Sequence, residues 1–423
     1  MSYQEGLSQW QQELSSHFPG LSRPQVRILA IWSFALFAVQ QVGMTRLCYW
    51  LTMTIGSRPG TWRQSLREWC YDAGEKKGRQ RQELEVSTCF APLLAWVLHW
   101  WSPSQDKRLL LALDETPLGD RFHVLTISVL YRQCAIPVAW QVRGSRERGA
   151  WEPLWECMLS QLKPVVPQEW EVLVFADRGI SGASLFRHIV SLQWHPFLRL
   201  TQRGSVQIQG REEYQPLKQL LGEQGIGWCG RVSCFARVQL PCTLLTGQGK
   251  GQKDPWIVIT DLPPEQARLA WYQMRYWIEC GFKDLKSGGW KWQHSKIKQA
   301  HRMQRYLLVM AVSTLWEMSQ AQSAEEALPV TNVQALPPTH EARRRATGRQ
   351  IPRELSCLSL GTLWVLRMAV LGQWQMQGRF VAFEWPEELP EATRKPPKKR
   401  HQPAKGGKKR WRKRRLLEQK QVA

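Results

Sequence analysis

Lys107 to Thr116 reads KRLLLALDET, and this stretch decides the fold. Apolar residues run without a break from Leu109 to Leu113 and stop at an acid, Asp114. An uninterrupted apolar run of this length reads as a strand buried on both faces, its C-terminal end marked by Asp114 and Thr116. Next come Phe122 to Tyr131 (FHVLTISVLY) and Cys134 to Val142 (CAIPVAWQV), parted only by Arg132 and Gln133. So short a connection predicts a hairpin, giving three consecutive antiparallel strands. Leu154, Trp155, Met158, Leu159 and Leu162 then recur at helical intervals after Trp151. Glu171 to Asp177 (EVLVFAD) is a second buried strand that ends in an acid, and Arg178 and Gly179 follow it. Ser184 to Leu192 reads as a helix and His195 to Leu200 as a further strand. An Asp at a strand end often does no more than open a turn, so the two acids gain meaning only if a third partner joins them.

The candidate for that partner lies in Tyr272 to Lys286, YQMRYWIECGFKDLK. Wound as one α-helix, it brings Tyr272, Arg275, Glu279 and Lys286 within an arc of roughly 60°. Met274, Trp277, Ile278, Phe282 and Leu285 face the other way and supply an apolar footing. A carboxylate can hold a divalent metal, and flanking cations and a phenol can hold phosphate oxygens. A solvated face with helical ion pairs would carry the same residue types.

The pattern Y, two residues, R, three residues, E, six residues, K resembles the helix bearing the last acid of bacterial DDE transposases of the insertion-sequence-four family. The motifs ALDET around Asp114 and FADRG around Asp177 are similar to that family's sequence around its first two acids. The resemblance covers roughly residues 105 to 320 and implies an α/β fold with an RNase H-like mixed-sheet catalytic core. It implies that Asp114, Asp177 and Glu279 are catalytic and hold two Mg²⁺ ions, with Mn²⁺ a substitute, Asp114 bridging both. Tyr272, Arg275, Lys286 and Arg178 would contact DNA near the cleaved end. The implied activity is metal-dependent cleavage at the ends of a mobile element and strand transfer into target DNA, with double-stranded DNA as partner and a homodimer bridging two ends. An RNase H-like nuclease that cuts without joining, and a catalytically lapsed DNA-binding descendant, share these features.

Around the core, the reading is helical from residue 1 to 101. Ser22 and Pro24 open a strongly apolar helix, and GSRPG (Gly56 to Gly60) precedes a short segment carrying Arg58, Arg63 and Arg67 that suits either a reader of duplex ends or a helical cap. The core takes residues 105–200 and 257–320. Residues 201–256, longer than a bare core needs, form a β-rich insertion. In the family it resembles, such an insertion can present an aromatic to a flipped base, a role for which Trp228 is the candidate. Trp290, Lys291, Trp292, His294, Lys296 and Lys298 interleave aromatics with cations, as a backbone and base contact would, or as a partly buried loop would. Residues 321–390 are read as a linker, Ala321 to Thr339, and a helical C-terminal region with a basic run from Arg343 to Arg353 and a helix from Leu355 to Gly378. Residues 391–423 are a disordered basic tail, with 13 Lys or Arg and no acid between Arg394 and Arg415.

Across 423 residues the formal net charge is +23, an excess that favours a polyanionic partner, nucleic acid before membrane. No apolar run reaches the roughly 18 residues of a spanning helix. No basic segment followed by an apolar one opens the chain, so the expected location is the cytoplasm, with the nucleoid as the site of DNA binding. The ten cysteines include no C-x-x-C pair, and Cys229, Cys234 and Cys242 are too irregularly spaced for a standard zinc site.

Overall fold

The sheet begins with β1 (Arg108–Leu118), which pairs antiparallel with β2 (Phe122–Tyr131) and parallel with β4 (Glu171–Ala176). β2 in turn pairs antiparallel with β3 (Cys134–Gly144). The computed structural model describes residues 3–77, 82–102, 106–147, 149–224, 227–248, 254–327 and 355–389. β1 does not stop at Asp114 as its sequence suggests. The antiparallel ladder with β2 carries it four residues further, to Leu118↔Phe122, whereas the parallel ladder with β4 ends at Leu113↔Ala176. Arg132 and Gln133 both take positive φ, 43° and 66°, the conformation that a two-residue hairpin turn requires.

α6 (Glu152–Leu162) and α7 (Ala183–Ser191) connect β3 to β4 and β4 to β5 (His195–Arg199), which runs parallel to β4. Three antiparallel strands followed by two parallel ones, in the order β3-β2-β1-β4-β5, make the RNase H-like arrangement of a mixed α/β fold. The sheet then continues without a gap. β10 (Trp256–Thr260) adds antiparallel to β5, and β9 (Leu240–Gly247), β8 (Cys229–Cys234), β6 (Ser205–Ile208) and β7 (Gln215–Pro216) follow outward to ten strands. The β-rich stretch after residue 200 thus lengthens the core sheet, with one short helix, α8 (Leu217–Gln224), beside it.

Among the described residues five α-helices precede the sheet: α1 (Tyr3–His17), α2 (Arg23–Val39), α3 (Met44–Ile55), α4 (Pro59–Trp69) and α5 (Phe90–His99). The Ser22 amide donates to Gln25 Oε1 at 2.9 Å and sets the start of α2. These helices reach the sheet through a late one. Further on come α9 (Trp277–Lys283) and α10 (Ala300–Ser319), and α10 is buried on nearly every side, as a helix must be when sheet and helices sandwich it. Trp140 Nε1 on β3 donates to Gln304 O at 3.0 Å, and Ser313 Oγ donates to Ser33 O on α2 at 3.2 Å. Trp10 stacks on Trp316 with ring centroids 4.4 Å apart. The Arg305 guanidinium, almost fully buried, reaches Cys70 O, Leu84 O, Asp72 and Glu83 and fastens the loop after α4 to α10.

Two expectations need correction, and one open choice is decided. The stretch taken as a linker opens with a helix, α11 (Ala321–Ala327), on which Glu325 binds Arg132 of the β2–β3 turn at 3.0 Å. The C-terminal helix α12 (Cys357–Val370) ends eight residues before Gly378, because Gly372 turns the chain at φ 66°. Trp290 and Trp292 are wholly buried, and Trp290 Nε1 donates to Thr314 Oγ1 at 3.0 Å, so neither ring is open to a base. The basic run from Arg343 to Arg353 and the tail from 391 lie outside the described residues. Among the described residues no single helix is long and apolar enough to cross a membrane, and all ten cysteines are free thiols.

Candidate active site

Strand register brings the first two acids together. Leu113 and Ala176 are the last partners of the β1–β4 ladder, so Asp114 and Asp177 are the next residues on two strands about 4.8 Å apart. Asp114 accepts from the Glu115 amide at 2.8 Å, which fixes one oxygen of its carboxylate.

The third acid arrives on a backbone that is not one α-helix. Leu269–Tyr276 is a 3₁₀ helix, α9 is about two regular turns beyond it, and Asp284–Gly288 is wound as a π-helix. In a 3₁₀ helix residues three apart eclipse, so Tyr272 and Arg275 stand in line instead of 60° apart. α9 comes close to β3 because Gly281 has no side chain; a Cβ there would lie 2.8 Å from Ala135 Cβ. Ile278, Phe282 and Leu285 are buried beneath it, and the wide last turn brings Lys286 Nζ to Thr116 Oγ1 at 2.6 Å.

Arg275, 9% exposed, is the centre of the arrangement. Its Nη1 lies 3.1 Å from Asp114 Oδ2, and its Nη2 lies 3.7 Å from Asp177 Oδ2 and 2.7 Å from Glu279 Oε1. Residues 161 and 98 positions apart from it along two strands, and four along its own helix, thus share one guanidinium. Burial pushes the Asp114 carboxyl up to about 6 against the pull of Arg275. Burial also holds the Lys286 ammonium below its ordinary range.

The other expected residues separate into two groups. The Tyr272 phenol, expected to hold phosphate, is 2% exposed, and its hydroxyl donates to Ala176 O at 3.0 Å. It fixes the backbone just before Asp177, and its hydroxyl proton is committed to the chain. Arg178 is exposed on the rim and faces Asp254 at 3.7 Å. Trp228 is half-buried with its ring over Gly230, and its backbone pairs with Thr246. It touches none of the three acids and lines neither hollow beside them.

Those hollows hold about 520 Å³ next to Asp114, Trp151 and Glu152, and about 360 Å³ next to Arg199, Tyr276 and Glu279; Asp177 lines both. Two of these residues escaped the sequence reading. Arg199 Nη1 lies 3.5 Å from Asp177 Oδ1; as the last residue of a strand parallel to β4, it occupies the end of the sheet where the acids sit, and that position was its only signal. Tyr276 is 62% exposed beside Glu279, a large aromatic held in water at the mouth of the smaller hollow.

Three carboxylates form a hard oxygen donor set that suits Mg²⁺ or Mn²⁺. Their oxygens now converge on Arg275, so a cation would take over the charge that the guanidinium supplies. Among the described residues, the group whose ligand atoms already lie within 4.8 Å of one another is elsewhere, at Asp72, Glu75 and His301. Arg305 and Arg302 pair with Asp72 and Glu75 there.

Residues 115–316 match the family model described as "Transposase DDE domain". The matched segment takes in Asp177 and Glu279 and begins one residue after Asp114. No curated protein sequence matches the chain. Among solved structures it is similar to that described as "Cryo-EM structure of piggyBac transposase synaptic complex with hairpin DNA", at 11% identity and a TM-score of 0.33, over 83% of this chain and 84% of that one.

Proposed function

We propose that this chain is a cut-and-paste transposase of the insertion-sequence-four type, which cleaves DNA at the ends of a mobile element and joins the freed 3′ hydroxyl to target DNA. The observation that carries the reading is the meeting of Asp114, Asp177 and Glu279 within 3.7 Å of the Arg275 guanidinium. Two Mg²⁺ ions, or Mn²⁺ in their stead, would be held by these three carboxylates and would supply an activated attacking oxygen and charge stabilisation for the leaving one.

The chain's own side chains do the positioning. Arg275 and Lys286 present two cations along the face of β1 that carries Asp114 and Thr116, suited to the non-bridging oxygens of the scissile phosphate. Lys286, partly withdrawn from water and anchored on Thr116, reaches phosphate without losing much side-chain freedom. Tyr272 holds the end of β4, and with it Asp177, at a fixed height. Arg199 and Arg178 line the route by which a backbone would enter. The partner is double-stranded DNA in the cytoplasm, and two copies of the chain would bridge the two ends of an element.

The test is metal-dependent nicking of a duplex. Asp114→Ala should abolish it, by at least about 100-fold, the scale of removing one preorganised electrostatic participant. Retained nicking would refute the site. Pre-cleaved ends offered with a target duplex separate a transposase from a nuclease with the same core, because the nuclease yields no joined product.

A further inference from the structure

A further hollow among the described residues lies away from the acids. It is a groove of about 770 Å³ between α3, α4 and the segment leading into α10. Arg46, Arg63, Arg67, Lys296, Lys298 and Arg302 line it. Arg302 is spoken for: its guanidinium binds Glu75 at 2.5 Å and lies over the Tyr71 ring. The other five have no carboxylate partner among the described residues, and Arg46, Arg67, Lys296 and Lys298 are exposed. Five unneutralised cations around one concavity repel each other and focus a positive potential into it, which an anion relieves.

A second observation is independent of charge. Ser295, only 9% exposed, lines the same groove, and its Oγ has no hydrogen-bond partner among the described residues. A buried hydroxyl without a partner is costly and marks a place where an acceptor belongs. Cations flanking a hydroxyl donor match the contacts proteins make to phosphodiester oxygens.

Position supports the same ligand. Arg121, in the turn between β1 and β2, donates from Nη1 to Ile297 O at 2.6 Å, tying the groove's wall to the far end of β1. From Asp114 to Leu118 that strand runs about 13 Å, the length of about four base-pair steps of a duplex at 3.4 Å per step.

We infer that this groove is a second DNA seat, apart from the three acids, where Arg46, Arg67, Lys296, Lys298 and the Ser295 hydroxyl grip backbone phosphates flanking the cut without reading sequence. The inference rests on the proposed function in that the partner is DNA. The experiment is reductive methylation of the full chain, with and without a 20-base-pair duplex, followed by mass spectrometry. Lys296 and Lys298 should be protected by the duplex, and Lys107, at the opposite end of β1, should not. The exposed substitutions Arg67→Gln and Lys296→Gln together should make the log affinity against log salt slope shallower by about 1.8, at about 0.9 per phosphate lost. Ser295→Ala should weaken binding as well, whereas a merely buried hydroxyl would leave binding unchanged on removal. Unchanged labelling of Lys296 and Lys298 in a complex that is nonetheless bound and nicked overturns the groove and leaves the transposase reading standing. Failure to bind or nick DNA at all overturns both. Protection by an acidic peptide where the duplex gives none also overturns the assignment.

Discussion

Replacing Glu317 with Gln should stabilise the protein, and more so the higher the pH. Glu317 lies in α10 with no exposure, and burial pushes its carboxyl up to about 8 from an ordinary 4.5. Hydrogen bonds from Thr362, Ser313 and Gln40 pull it back down, but burial outweighs them. Thr362 Oγ1 has one proton to share between Glu317 Oε2 and Leu358 O, which lies at 2.8 Å, so it offsets only part of the burial cost. The sign follows from linkage. The folded chain binds this proton more tightly than the unfolded one, so the cost is absent below about pH 4.5, grows as pH rises, and is complete above about pH 8. At about 1.4 kcal/mol per pH unit the cost is ~1.4 kcal/mol at pH 5.5 and ~5 kcal/mol at pH 8.5. Glutamine keeps the shape and donates to Thr362 at every pH. Denaturant unfolding of both proteins at the two pH values, followed by tryptophan fluorescence, should give a double difference of about 3 kcal/mol in favour of the variant at pH 8.5. Other titrating groups cancel in that comparison. An equal difference at both values, or a variant less stable at pH 8.5, would mean that the folded chain holds an ionised Glu317 and would refute the reasoning.

Arg275→Gln removes the charge shared by three carboxylates and should cost about 2 kcal/mol, less than a fully buried pair because Glu279 is half exposed. Thermal melts should show millimolar Mg²⁺ restoring more of the variant's stability than it adds to the native chain; equal effects of Mg²⁺ on both would refute this. Gly281→Val drives two methyls toward Ala135 and should cost about 1–3 kcal/mol by overpacking. It should also lower nicking by displacing α9, which a melt and a cleavage time course on the same preparation would check.

The strands were legible because a sheet covered on both faces writes itself as unbroken apolar runs: KRLLLALDET and EVLVFAD could scarcely be anything else. Their ends were less so. β1 overran Asp114 because its two neighbours stop at different places, which no single strand's sequence records. The winding of Leu269–Gly288 was invisible for another reason: helix type there answers to the contact of Gly281 with Ala135 and of Lys286 with Thr116, made by residues more than 140 positions away. Trp290 and Trp292 spell the same pattern whether they stack on bases or fill a core, and only burial decides. The basic groove was hidden because Arg46, Arg63 and Arg67 lie far along the chain from Lys296 and Lys298; each group reads singly as a solvated face.

The spacing of Asp114 and Asp177 comes from the pitch of a sheet and from no loop. Segments that join the strands from the other side, such as the exposed turn at residues 167–169, can therefore be lengthened or exchanged without altering the gap between the two carboxylates. A designer wishing to attach a foreign domain would choose that turn. A slip of β4 by a single residue, by contrast, would turn Asp177 to the opposite face and leave its partner facing an alanine.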